Sequence, residues 1–403
     1  MAKRFGMFIH WGPVSLRGTE IGWSRGNQVA VEDYDSLYKE FNPVLFNAKE
    51  WVKTAKDAGM KYIVITAKHH DGFCLWPSKY TDYSIAATPY KKDILAELSK
   101  ACKEQGIGFG IYFTILDWHD ALYPNSNIKG APQKPTGDMK QFVEKMKKEI
   151  GELITSYHPF LLWFDGNWES PWTREMGEEI YAHIKKLDKT IVVNNRLGKG
   201  EHSKMSDTMV GDYLTPEQEV GKINLQYPWE SCITIGKQWA WRPNDNMKST
   251  QTSLQTLLST AGGNGNLLYN VGPMADGRIE ARQVKILAGI GNWLKQNGQA
   301  VYATNGGPYT PNTQYASTRK GKNIFIHLLK NDTVSITLPL LPGTRVIKAY
   351  VVNTKQQIGV KQDANGITLD LSGITKDKLI PVIALETDRE TIEIPLVEVA
   401  VGK

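Results

Sequence analysis

Short apolar runs alternate with amphipathic stretches over the first three quarters of the chain. Phe5 to Trp11 reads as a strand, and helical spacing over Ala48 to Ala58 stops at Gly59 before a second strand, Tyr62-Ile63-Val64-Ile65-Thr66. The unit repeats: helix Asp93 to Gln105 stopped by Gly106, strand Ile107 to Phe113, helix Asp138 to Tyr157, then Leu161-Leu162-Trp163-Phe164-Asp165-Gly166. That last run is too apolar for a surface loop, so it reads as a buried parallel strand that delivers Asp165 at its carboxyl end. Helix Arg174 to Leu187 leads to strand Ile191-Val192-Val193. Further strands are expected near Met209-Val210, Ser231 to Ile235 and Leu267-Leu268-Tyr269, with helices at Ser253 to Thr260 and Ala281 to Gln296. Eight strands with helical crossovers predict an α/β fold, a (β/α)8-like TIM barrel over residues 1–304, in which the sixth strand and its helix are poorly marked.

From Gly306-Gly307-Pro308 the pattern changes to short β runs: Asn323 to Leu329, Thr333 to Leu338, Val346 to Val352, Ile367 to Leu371 and Pro381 to Glu386. Lys330-Asn331-Asp332 and Asn365-Gly366 are hairpin turns, so a C-terminal β-sandwich over residues 305–403 is expected.

The chain has 403 residues and a formal charge of +6, with lysines interleaved among glutamates rather than in a basic block, which argues against nucleic-acid binding. Cys74, Cys102 and Cys232 are too few and too scattered for a disulfide framework or a cysteine-based metal site. No stretch approaches 18 apolar residues, so no membrane span is expected. Met1-Ala2-Lys3-Arg4 enters the first strand at once and carries no signal peptide. Twelve tryptophans, none after Trp293, suit a carbohydrate ligand, because an indole packs well on the apolar face of a sugar ring.

The strong polar residues fall where barrel strands should end. His10-Trp11 closes the first strand, His69-His70-Asp71-Gly72-Phe73 follows the second, Tyr112 ends the third, Asp165 the fourth and Asn195-Arg196 the fifth. A single such residue is as often a satisfied hydrogen-bond partner as a ligand contact, but five on one face point to one pocket. Three imidazoles and an aspartate could also hold a metal. Adjacent His69 and His70 argue against that, since neighbours on an extended strand point to opposite faces. No metal and no cofactor are expected.

These motifs resemble the α-L-fucosidases of glycoside hydrolase family 29. The resemblance runs from Phe5 to about Thr304 through Phe5-Gly6-Met7-Phe8-Ile9-His10-Trp11-Gly12, Lys68-His69-His70-Asp71-Gly72-Phe73, Trp163-Phe164-Asp165-Gly166, Asn195-Arg196, the segment from Gly263 to Pro273, and Gly298-Gln299-Ala300-Val301-Tyr302. It implies a retaining exo-α-L-fucosidase that releases terminal fucose from glycans through a covalent intermediate, with Asp165 as nucleophile. It also implies fucose contacts from His10, His69, His70, Tyr112, Trp163, Arg196 and Trp239. Glu20 and Trp23 resemble the family's Glu-Trp element, although here Ile21-Gly22 separates them. For the acid/base two positions compete, Glu217 and Glu230, and the resemblance favours Glu217. Alternatives are a related exo-glycosidase of β-galactosidase type or a silent glycan-binding protein. Family members are usually exported, so a periplasmic or extracellular site is expected, with the cytoplasm left open; linkage preference and oligomeric state are not readable.

Overall fold

The structure is a computed structural model that describes residues 2–124, 136–200, 209–330, 334–374 and 379–399. Its first part alternates β1 (Phe5–Ile9), α1 (Val31–Ser36), α2 (Ala48–Asp57), β2 (Tyr62–Lys68), α3 (Ile94–Gln105), β3 (Gly108–Thr114), α4 (Met139–Tyr157), β4 (Leu161–Asp165), α5 (Arg174–Leu187) and β5 (Val192–Val193). It continues with β6 (Glu230–Thr234), α6 (Thr250–Gly262), β7 (Asn266–Val271) and α7 (Ala281–Asn297). Helix starts follow side-chain chemistry: Asn47, Asp93, Asp138, Thr173 and Ser249 each accept a backbone N–H of the first turn. All seven residues of β2 are buried, as a parallel strand covered on both faces requires.

The parallel strands form one sheet in the order β5-β4-β3-β2-β1-β7-β6. Seven regular strands are present among the described residues, not eight. The expected strand at Met209-Val210 does not form; the sixth position is taken by residues 212–218, which bond to both neighbours irregularly. Toward β5, Asp212 N donates to Val193 O (2.7 Å), and just beyond that strand Asn195 N donates to Tyr213 O (2.9 Å). On the other side Glu230 N donates to Leu214 O and Cys232 N to Pro216 O, with isolated parallel bridges at Leu214–Trp229 and Glu217–Cys232. Pro216 has no N–H to give, which keeps this stretch from becoming a regular ladder. The sheet is thereby curled shut, and Phe8, Tyr62, Val64, Tyr112, Leu161, Trp163, Tyr213, Cys232 and Leu268 fill its interior.

Nine strands follow: β8 (Asn305–Gly306), β9 (Tyr315–Lys320), β10 (Asn323–Leu328), β11 (Ser335–Leu338), β12 (Val346–Val351), β13 (Gln357–Ile358), β14 (Val360–Asp363), β15 (Gly366–Asp370) and β16 (Val382–Thr387). They form antiparallel sheets in the orders β13-β12-β16-β10-β9-β8 and β11-β15-β14, with Ile324, Ile326, Ile336, Leu338, Ile367, Leu369, Ile383 and Leu385 between them. The expected turn at Asn331-Asp332 and the strand start at Thr333 lie outside the described residues. The outer face of the larger sheet docks on the barrel: Trp293 Nε1 donates to Ile380 O at 2.8 Å, and Phe325, Leu329 and Val382 join the barrel's helical core.

Candidate active site

At the carboxyl ends of the parallel strands a cavity of about 60 Å3 is lined by Phe8, His10, Trp23, His69, His70, Tyr112, Trp163, Asp165, Trp168, Glu217 and Trp239. Asp165, the last residue of β4, accepts from Arg196 Nη1 through Oδ1 at 2.7 Å and from the Tyr112 hydroxyl through Oδ2 at 3.1 Å. The same Nη1 lies 2.8 Å from Oε2 of Glu217. Two contacts of 2.7 and 2.8 Å to one nitrogen leave those carboxyl oxygens at most about 5.5 Å apart. Arg196 is itself fixed, donating from Nε to Thr215 Oγ1 (3.0 Å) and from Nη2 to Thr215 O (3.1 Å), with its guanidinium 4.6 Å from the centre of the Trp163 ring.

The two carboxyls respond in opposite directions. Burial pushes Asp165 up, but the Arg196 charge, His70 and the hydrogen bonds from Arg196 and Tyr112 outweigh it and hold its pKa below the ordinary value. For Glu217 burial prevails over Arg196, and the charge of Asp165 adds to it, so its pKa is raised. The surroundings thus split the pair, with Asp165 the more readily ionised and Glu217 the more readily protonated of the two.

The imidazoles are neutral. Burial drives His10 down to about 3 and His70 to about 4, and lowers His69 well below the ordinary range, with its histidine neighbours adding to the effect. Two of the tautomers follow from the hydrogen-bond network. Asn270 Nδ2 donates to Trp239 O (2.7 Å), so its Oδ1 accepts from His10 Nδ1–H (2.6 Å). Thr114 donates to Leu116 O (2.8 Å), so its hydroxyl accepts from His70 Nδ1–H (2.7 Å). His10 and His70 therefore each keep an unprotonated Nε2, able to accept a hydrogen bond. Among the described residues His69 Nδ1 has no hydrogen-bond partner, and its ring stacks on Tyr112 at 5.3 Å.

His69 and His70 both line the cavity, contrary to the opposite-face expectation. Regular pairing of β2 ends at Lys68, with a register shift after Thr66, so the two histidines lie beyond the extended ladder. Among the described residues no group of three His, Cys, Asp or Glu is placed to hold a metal ion.

Glu20 does not line the cavity. Its carboxylate accepts the backbone N–H groups of Trp239 (2.9 Å), Ala240 (3.0 Å) and Ile21 (3.1 Å), so it shapes the segment that carries Trp239. Ile21-Gly22 brings Trp23 to the mouth: Gly22 has φ +67°, and a Cβ there would lie 3.0 Å from His69 Nδ1. Glu230 lies at the other end of the barrel. It begins β6 and is fully buried, and the hydroxyls of Tyr62 and Tyr213 donate to it; burial raises its pKa to about 7 against those bonds. Sequence reading gave no role to Asn270, Thr114, Thr215 or Trp168; the same-face alternation of Leu268 and Asn270 along β7 was the signal available for the first.

An arginine-linked pair of carboxyls among neutral hydrogen-bonding side chains, at the carboxyl end of a curled parallel sheet, is the arrangement of a glycoside hydrolase. A family profile described as Alpha-L-fucosidase matches residues 1–299. The plasma alpha-L-fucosidase of Homo sapiens is 30% identical over 402 residues, covering 92% of this chain and 83% of that protein. Among solved structures, alpha-L-fucosidase isoenzyme 1 from Paenibacillus thiaminolyticus is similar with a TM-score of 0.87 and 30% identity, over 96% of this chain and 97% of that one. A family 29 alpha-L-fucosidase from Bacteroides thetaiotaomicron, trapped as a covalent intermediate with 2-fluoro-fucosyl fluoride, gives 0.87 and 28% over 96% and 94%. The chain belongs to the α-L-fucosidase family, glycoside hydrolase family 29.

Proposed function

We propose that Asp165 is the nucleophile and Glu217 the acid/base of a retaining α-L-fucosidase. The observation that carries this reading is the single Arg196 nitrogen shared by both carboxyls, which keeps them within about 5.5 Å. Retaining enzymes hold their carboxyls about 5–5.5 Å apart, whereas inverting ones need roughly 6.5–9.5 Å to admit a water between them. Asp165 attacks the anomeric carbon as Glu217 gives its proton to the departing oxygen; a water then enters, deprotonated by Glu217, and frees fucose with its configuration retained.

Once Asp165 is esterified its charge is gone, and Arg196 then acts on Glu217 alone. The residue that had to be protonated for the first step is thus stabilised as a carboxylate for the second. His10 and His70 accept from sugar hydroxyls through Nε2, and neutral rings suit a neutral substrate. Tyr112 orients Asp165, Trp163 and Trp239 form apolar walls, and Trp23 closes the mouth. Glu20 and Asn270 act on the substrate through the elements they hold.

Fucosylated glycans are the substrates this reading implies, and no helix among the described residues is long and apolar enough to cross a membrane. We place residues 1–304 as the catalytic unit and 305–403 as an accessory sandwich, and assign the enzyme to an exported compartment, which fractionation of the source cells tests. The activity is tested by assaying aryl α-L-fucoside beside aryl β-D-galactoside while following the first-formed anomer by NMR. Release of α-L-fucose from the fucoside alone is expected; a β-configured first product or equal galactoside turnover overturns the reading.

A further inference from the structure

Twelve tryptophans are distributed over the chain, and two of them are exposed: Trp23 keeps 41% of its surface and Trp168 keeps 36%. Both stand at the mouth of the same cavity. Their rings lie nearly parallel, 17° apart, with centroids separated by 6.2 Å; Trp23 also meets Trp118 edge-on at 5.1 Å, and Trp168 meets His70 at 5.6 Å. The floor is different in kind. His10, His69, His70, Tyr112 and Trp163 are each no more than 4% exposed. A sugar seated on that floor is enclosed, so whatever is joined beyond the scissile oxygen has to pass the mouth, where the exposed apolar surface is indole.

Trp168 comes three residues after Asp165, on a loop tied to the segment after β5. Asn167 Nδ2 donates to Gly198 O, Gly200 N to Asn167 O (3.1 Å), and Lys199 Nζ to Trp168 O (3.4 Å) and Glu169 O. A loop held in this way loses little freedom when a partner packs on the indole it carries. An exposed indole beside a polar pocket matches the face of a pyranose, which presents C–H groups on one side and hydroxyls at its edge.

We propose that Trp168 forms a second subsite, a wall against which the sugar ring of the leaving group packs, and that it sets preference for glycosidic over ringless leaving groups. This rests on the α-L-fucosidase reading and adds to it a residue outside the fucose contacts. The wall acts on the departing half of the substrate, so its effect appears in kcat/KM only when that half carries a ring.

The test compares α-L-fucosyl fluoride, which has no ring in its leaving group, with a fucosyl disaccharide, for the intact chain and for Trp168→Ala and Trp168→Phe. Trp168→Ala is expected to lower kcat/KM on the disaccharide, chiefly through KM, at least tenfold more than it lowers kcat/KM on the fluoride. Trp168→Phe should keep the disaccharide within threefold. An equal loss on both substrates would assign Trp168 to the fucose floor and overturn the proposal, as would no loss on either. If Trp168→Ala proves insoluble, Trp168→Leu carries the same comparison. A parent chain inactive on both substrates would instead refute the α-L-fucosidase reading itself, before any variant is considered.

Discussion

The two ends of the barrel each hold a glutamate, and they treat it in opposite ways. At the carboxyl end Glu217 shares an arginine with Asp165, keeps 40% of its side-chain surface, and faces the cavity. At the amino end Glu230 borders a separate cavity of about 540 Å3, and its bonds come from two tyrosine hydroxyls, Tyr62 and Tyr213. Both have raised pKa values with burial as the leading cause. A raised carboxyl beside a cavity is therefore not sufficient to mark a catalyst: the upper one shares its arginine with a second carboxyl whose pKa is held low, and the lower one is bonded by tyrosine hydroxyls instead.

The sharpest break between the ends is expected from Asp165→Ala. Removing the covalent partner should cut turnover of an aryl α-L-fucoside by roughly 10^4-fold or more while the melting temperature changes little. Residual activity of a few per cent would remove Asp165 from its role.

Glu217→Ala should come next, with losses of about 10^2 to 10^4 that grow with the basicity of the leaving group, because an alkoxide needs the proton and a nitrophenolate does not. Azide should restore turnover on the activated substrate and give the α-configured fucosyl azide. Rescue of Glu230→Ala and not Glu217→Ala would exchange the two residues.

Arg196→Met tests the link itself. Without the guanidinium the pKa values of both carboxyls rise, so the acid limb of kcat/KM, set by Asp165, and the basic limb, set by Glu217, should both move to higher pH. Limbs that stay in place would mean that the shared contact does not tune the pair.

Glu230→Gln should leave activity near that of the parent and act on stability. The Glu230 carboxyl goes from an ordinary 4.5 to about 7 on folding, so the folded state favours its protonated form. Its contribution is complete below pH 4.5 and is withdrawn as pH rises through 7, on the order of 3 kcal/mol in all. The variant, which cannot ionise, should gain on the parent in melting temperature between pH 5 and pH 8. A constant difference across that interval would contradict the assigned titration. The smallest effect is expected from EDTA, which should leave turnover unchanged; loss that added metal restores would demand a different chemistry.

Most of the barrel was readable because parallel strands buried on both faces are continuous apolar runs, and because Gly59 and Gly106 stop helices where the pattern breaks. The sixth strand was not, since residues 212–218 pair by scattered bonds around Pro216 and leave no periodic trace. Strand-end logic gathered His10, Tyr112, Asp165 and Arg196 from local sequence. It misplaced the geometry of His69 and His70, because a ladder's end is set by its neighbours and not by its own residues. Glu20 and Glu230 show the other limit: a carboxylate near the right motif can serve backbone N–H groups or tyrosines, and only the path of the surrounding chain decides which. The role of Asn270 lay in two contacts, 260 and 31 residues away, that no spacing rule reports.

The irregular sixth position has a bearing on how such an enzyme can change over time. Asp165 is locked into the register of β4 against Thr114, so a one-residue insertion before it would turn it out of the cavity and unpick a ladder. Glu217 rides on a stretch attached by a few backbone bonds on either side, which tolerates lengthening or shortening far better. The molecule thus combines two kinds of attachment: the proposed nucleophile is fixed by the register of a ladder, and the proposed proton donor rides on a stretch whose length can change without breaking one.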